Sequence, residues 1–532
     1  MRKTGVTCRR TAVYCAAVAV LSAAAPLVAG CAVSDSDVHR WETTEGGPEK
    51  LYAIVTHDKY SWALREEAAL SLVHMRPRNG KRVGLEYLAL GYDVPAGKVQ
   101  GALSVVTEEA RKHIVDDIST KPGGLIDMMS QPPPAKVAEG QPMPPDPSIP
   151  FKDAAFSFVS HEPPLVTDDD TKSKIMAALT SWVQTDFEDR IDNSSQQFGV
   201  EQIMRLIGPA AVTELPKSIV EGNTKDDKAC QLIADIGDDK TKAAAGTALV
   251  AMLKSIDSSA WVEKQRGLVN EANKKTGATV TPAQVQAQLT TFQEQELEKV
   301  FTNMKRVGGR PVVDFCLAYA QDKSKSEKMR SDALAALENR MDKNFPGDVN
   351  ALFAIIGDDT NPDSVRGVAM ARAGELPKEM IVPKLYGLFN KKWQVRVDAA
   401  KLVLKTMTPK DVPDFMRHLP VDNKTKMGLS EPITYGLLIM NMDPAGGPKP
   451  RDVLNGFLQS PSMGAKLTAA GSYYQGKKAD GAAVGALADD KTPLPKCDPA
   501  DKCGWECFVG KENKDPTTVG EFVKWCIQPQ LQ

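Results

Sequence analysis

Residues 392–407 read KWQVRVDAAKLVLKTM, and this stretch decides the fold. Trp393, Val397, Ala400, Leu404 and Met407 fall three and four apart and make one apolar stripe of a helix. Val395, Ala399 and Val403 widen the stripe until little but Arg396, Asp398, Lys401 and Lys405 remains for water. So broad an apolar arc predicts a helix packed on more than one side. An arginine inside it calls for a reason.

The arginine recurs. In SWALREEAAL (61–70), Trp62, Leu64, Arg65, Glu67, Ala68 and Ala69 match Trp393, Val395, Arg396, Asp398, Ala399 and Ala400 in register. MRSDALAAL repeats it around Arg330 and SVRGVAMARAGEL around Arg366, with fainter copies at Lys466 and Lys242. From Arg330 to Arg366 is 36 residues and from Arg366 to Arg396 is 30, the length of a two-helix unit. A partner helix recurs too: IGPAAVTELPKSIV from Ile207, GELPKEMIVPKLYGLF from Gly374 and DVPDFMRHLP from Asp411 each carry proline near the start, where its missing amide proton costs least.

A short apolar helix, a turn with Asp, Asn or Lys, and a second helix beginning V-R and continuing A-A together resemble the HEAT repeat family. The resemblance is clearest over 345–475, good over 196–256 and limited to one copy near 58–76. It implies an all-α chain, an α-solenoid superhelix of stacked two-helix repeats that bury their faces only against neighbours. It also implies a structural ladder between successive repeats for Arg65, Arg330, Arg366 and Arg396, a reading preferred here to an anion site.

At 532 residues the chain exceeds what one compact core supports, so several domains or a repeat array are expected. Sixty-six Lys and Arg nearly balance 68 Asp and Glu, and aromatic residues are 6%. No global field therefore attracts nucleic acid, and few rings are available to stack on bases.

Residues 1–30 are of another kind. Arg2, Lys3, Arg9 and Arg10 precede the apolar run TAVYCAAVAVLSAAAPLVAG, the pattern of an export leader. Val28, Ala29, Gly30 and Cys31 resemble the lipobox of bacterial lipoproteins. That implies cleavage before Cys31, acylation of its thiol and new amino group, and, with Ala32 rather than Asp next, an address on the outer membrane facing the periplasm. Several acyl chains together anchor stably.

Residues 31–40 read as a tether, 41–130 as an N-terminal helical region and 131–150, with eight prolines, as an extended loop. HEAT-like repeats follow over 151–256, long amphipathic helices over 257–310 and repeats again over 311–485. Within these, Asp168 to Asp170 read as a helix start, Asp58 as a cap before the first repeat helix, and Thr281 with Gln284 as a capping box before a helix ending at Gly308 and Gly309. The segment 490–532 is a small Cys-rich, disulfide-bonded tail. Cys497, Cys503, Cys507 and Cys526 in a loop-rich stretch of an exported protein favour two disulfides over zinc, with three pairings open. Cys230 and Cys316 read as buried thiols.

The six histidines, His39, His57, His74, His113, His161 and His418, contain no H-E-x-x-H pair, and nucleophile-elbow and phosphate-loop motifs are missing. No catalytic residue, metal ligand or cofactor is expected. The reading is a non-catalytic, lipid-anchored envelope scaffold or adaptor that binds protein partners and the membrane, but not nucleic acid. Its alternatives are a ligand-binding protein or enzyme with a site between the repeats and the tail, and a chaperone-like binder of envelope proteins.

Overall fold

The computed structural model describes residues 33–531 apart from 96, 136–140, 142–143, 186, 188–197, 277–279, 392, 421–429, 445–446, 495–506 and 510–511. The leader, Cys31, Cys497 and Cys503 lie outside the described residues, as does the side chain of Cys507. Helices make up nearly all of the regular structure. The exceptions among the described residues are two antiparallel hairpins, Tyr92–Val94 with Gly97–Val99 and Cys507–Val509 with Glu512–Lys514. Among the described residues no helix is long and apolar enough to cross a membrane.

The chain divides into two compact units, one ending at Leu179 and the other beginning at Thr180. In the first, helix Gly47–Thr56 packs on Trp62–His74, which packs in turn on Glu108–Thr120 and Ile149–Ser160. Three neighbours explain the broad apolar arc: Ala68, Ala69, Leu72 and Val73 are all buried. Ser61, not Asp58, caps this helix, its hydroxyl accepting from the Leu64 amide at 3.4 Å. The proline-rich 131–150 stretch is no boundary between domains, because helix Leu125–Met129 before it packs on Ile149–Ser160 after it.

In the second unit the packing order gives the architecture. Helices Arg310–Gln321, Pro346–Gly357 and Lys378–Tyr386 touch in succession and form one layer. Glu327–Ala335, Asp363–Ala373, Trp393–Thr406, Ser430–Met440 and Met463–Gly471 touch in succession and form the other. Within the array each first-layer helix also packs on the second-layer helix that follows it. That is a two-layer α-solenoid, whose stability is a sum of repeat and neighbour terms. One close crossing is at Gly436, where a Cβ would stand 2.5 Å from the Ser472 amide nitrogen. Only glycine lets Ser430–Met440 and Met463–Gly471 approach so far.

The rhythm breaks in two places. Residues 207–220, expected as an apolar helix, form the 3-10 turns Pro209–Val212 and Leu215–Ser218, because Pro209 and Pro216 withdraw amide donors that a continuing helix needs. Helices Ser259–Thr276 and Pro282–Val307 form a long pair with Trp261 stacked on Phe292. Thr281 and Gln284 complete the capping box there, and Gly308 ends the helix at φ 70°.

Candidate functional site

All four arginines are buried, at 4 to 6% exposure. Their neighbours differ. Arg65 donates Nε–H to the Val55 carbonyl at 3.0 Å, and Arg330 donates its own to the Ala320 carbonyl at 2.8 Å. In both cases the acceptor is ten residues earlier, in the last turn of the preceding helix, where carbonyls lack helical partners. The arginine thus ties together the two helices of one pair.

Two of the four also reach forward. Arg330 donates to Asn361 Oδ1 at 2.6 Å, and Asn361 passes the link to the Ile355 carbonyl at 2.8 Å. Arg396 donates twice to Glu431, at 2.9 and 2.6 Å, and Tyr435 adds its hydroxyl to the same carboxylate at 3.2 Å. Burial, with the Glu431 charge behind it, holds the Tyr435 phenol well above its usual pKa. Arg366 stays in its own turn, on Asp363 and on Asp359 at 3.4 Å, and its Nε is buried without a hydrogen-bond partner. Arg65 lies instead over the Trp62 ring, 4.7 Å from its centre.

A fifth arginine does similar work unannounced. Arg310 grips Asp348 through two hydrogen bonds of 2.7 Å, joining consecutive helices of the other layer, and Phe345 lies beneath it at 4.2 Å. The hydrogen bonds to Asp348 and Asp314 raise its pKa further. In the first unit Asp153 sits between Arg82, at 3.1 Å, and Lys152, and burial drives the lysine down and the aspartate up in pKa.

The first unit also gathers ionisable groups that sequence spacing kept apart. Glu66 is 3.0 Å from His113 Nε2, and Glu67 is 3.3 Å from His39 Nε2 and 3.7 Å from Lys121. Burial, then a hydrogen bond with Asp117, pushes the Glu66 carboxyl up to about 7. These are histidine–carboxylate pairs, yet among the described residues no group of three His, Cys, Asp or Glu side chains is placed to hold a metal ion. His418 stacks on Tyr386 at 3.7 Å and donates Nδ1–H to the Asp414 carbonyl at 2.9 Å.

Cys230 and Cys316 are free and buried, and burial pushes both thiols up to about 12. Cys526 is buried and disulfide-bonded.

No family model matches the chain, and no curated protein matches it. Among solved structures it is similar to an engineered protein at 14% identity, over 82% of this chain and 93% of that one, with a TM-score of 0.22. Kap121p bound to Pho4p gives 14% identity, 84% and 44% coverage and a TM-score of 0.26. Importin beta crystallised with ammonium sulfate gives 12%, 86%, 57% and 0.23. The chain spans less than two thirds of the length of Kap121p or of importin beta. Likenesses at such scores decide neither fold nor role, and the architecture rests on the order of helix packing alone.

Proposed function

We propose that this chain is a non-catalytic scaffold of a bacterial envelope, held by lipid on Cys31, whose repeat array binds one or more envelope proteins. The observation that carries the reading is the two-layer stack over 310–471, which uses its buried polar chemistry to hold helices together. Within the array Arg330 faces a carbonyl and an amide, and Arg396 a carboxylate, rather than an open site. What is left for other molecules is a long succession of exposed ridges. Many shallow contacts spread over such ridges suit a protein partner, and anchoring both molecules at one membrane raises their effective concentration.

The lipobox-like Val28 to Cys31 supports the anchor and the outer-membrane address. On this reading the tail beyond residue 490 closes with two disulfides among Cys497, Cys503, Cys507 and Cys526, as an oxidising compartment permits.

The test is in-cell crosslinking of the tagged wild type beside Cys31→Ala, each recovered from separated membrane fractions. One or two stoichiometric partners with the wild type in the outer-membrane fraction, lost from the variant, are the expected result. Identical fractionation of the two proteins would remove the anchor, and no crosslinked partner with either would remove the scaffold.

A further inference from the structure

A cavity of about 450 Å³ opens in the N-terminal unit, within the roughly 300–1,000 Å³ that small-molecule sites occupy. Three separate pieces of chain wall it. Ala89 and Leu90 with Lys98, Gln100, Gly101 and Ser104 make one side, Arg111 on helix Glu108–Thr120 makes the second, and His161, Glu162, Pro163 and Leu165 make the third. Gly101 allows the first side to close, because a Cβ there would stand 2.6 Å from the Ala89 carbonyl carbon.

The chemistry of the wall is uneven. Leu90, Pro163 and Leu165 offer apolar surface, whereas Lys98 and Arg111 bring two positive charges against the single carboxylate of Glu162. Arg111 is the telling group. Arg82, Arg205, Arg310 and Arg396 all meet carboxylates. Arg111 meets none among the described residues, and its Nε is buried without a hydrogen-bond partner. A buried donor left unmet is costly, and the guanidinium, which lines the cavity with no carboxylate partner among the described residues, is free to take an oxyanion there. Lys98 likewise forms no ion pair among the described residues. His161 is already oriented: a carbonyl can only accept, so Nδ1–H donates to the Pro163 carbonyl at 2.8 Å and Nε2 is left for a ligand.

The geometry points to a binding site for a small organic monocarboxylate with an apolar body. The carboxylate lies in the planar fork of Arg111, Lys98 adds charge, and Leu90, Pro163 and Leu165 cover the carbon skeleton. Glu162 disfavours ligands with more than one negative charge. A compact polyanion would also leave the apolar wall bare.

The site is tested on the full chain by calorimetric titration and thermal melting with hydrocinnamate, with inorganic phosphate as the second arm. Hydrocinnamate should bind and raise the melting temperature in proportion to the logarithm of its concentration, while phosphate at equal concentration should do neither. Arg111→Gln should weaken hydrocinnamate binding at least tenfold, from the loss of a charge-assisted pair. Arg111→Lys, which keeps the charge and loses the fork, should fall between. Both variants should melt without ligand near the wild type, because the group removed has no hydrogen-bond partner among the described residues. Absence of hydrocinnamate binding, equal binding of phosphate, or an unchanged affinity in Arg111→Gln would each overturn the assignment.

Discussion

Replacing Arg396 by methionine removes one half of a pair whose side chains are 5% and 0% exposed. Glu431 would then lose both hydrogen bonds from the guanidinium while keeping its charge in a fully buried position. Stripping one partner from a buried ion pair costs about 3–5 kcal/mol, because the remaining charge has been taken out of water for nothing. Over residues 180–532, at about 2.1 cal/mol/K of unfolding entropy per residue, that is a fall of about 5 °C in melting temperature if the unit unfolds cooperatively. Glu431→Leu should cost a similar amount. The double variant Arg396→Met with Glu431→Leu should regain most of the loss, since neither charge remains. It should stay short of the wild type by about 1–3 kcal/mol, the cost of leaving the Tyr435 hydroxyl buried and unmet. Adding Tyr435→Phe should close that gap. Guanidinium unfolding of the variants, followed by helical circular dichroism, gives the coupling energy directly. Single variants that each cost under about 1 kcal/mol, or a double variant that costs their sum, would refute the account of this pair.

Glu66 sets a pH dependence in the first unit. Its folded pKa of about 7 lies above the 4.5 of a free glutamate, with burial and Asp117 as the first causes. The folded state therefore holds the proton more tightly, so the group's contribution is complete below about pH 4.5 and is lost as pH rises through 7. Glu66→Gln should flatten the decline in stability between pH 5 and 7.5, and an unchanged slope would show that another group drives it. The thiols make a separate prediction. Cys230 and Cys316 should resist a thiol reagent at pH 8 while folded, because burial keeps them protonated. Denaturing the unreduced, processed protein should release two thiols and reduction six, given two bridges in the tail and a blocked Cys31. Four thiols without reduction would sink the two-bridge reading.

The repeat arginine was legible because it is an irregularity that recurs: one charge in register inside an apolar arc at Arg65, Arg330, Arg366 and Arg396. Its acceptors were not legible, for two different reasons. Val55 and Ala320 accept through backbone carbonyls, which every residue possesses. Asn361 and Glu431 accept through side chains, but from 31 and 35 residues away. One signal was present. Glu431 stands at the head of SEPITYGLLIM, a lone charge before an apolar run one repeat beyond Arg396, and the two irregularities answer each other. Arg310 carried no such mark, since Gly308 and Gly309 before it read only as a stop. The apolar spacing over 207–220 suggests a helix, but Pro209 and Pro216 each start a 3-10 turn there instead.

Repeats reveal architecture more readily than function. A contact that every repeat must make is written into every repeat, so the pattern visible in the sequence is the one that holds helices together. A site is written once. The cavity beside Arg111 draws on residues 89 to 104, 111 and 161 to 165, none of which belongs to the recurring pattern, and its mark is an arginine that meets no carboxylate among the described residues. A cation that lines a cavity with hydrogen bonds still to give is a better guide to a ligand than one already committed to the fold. Arg396 and Arg310 have already committed their hydrogen bonds to the fold, whereas Arg111 still has its own to give.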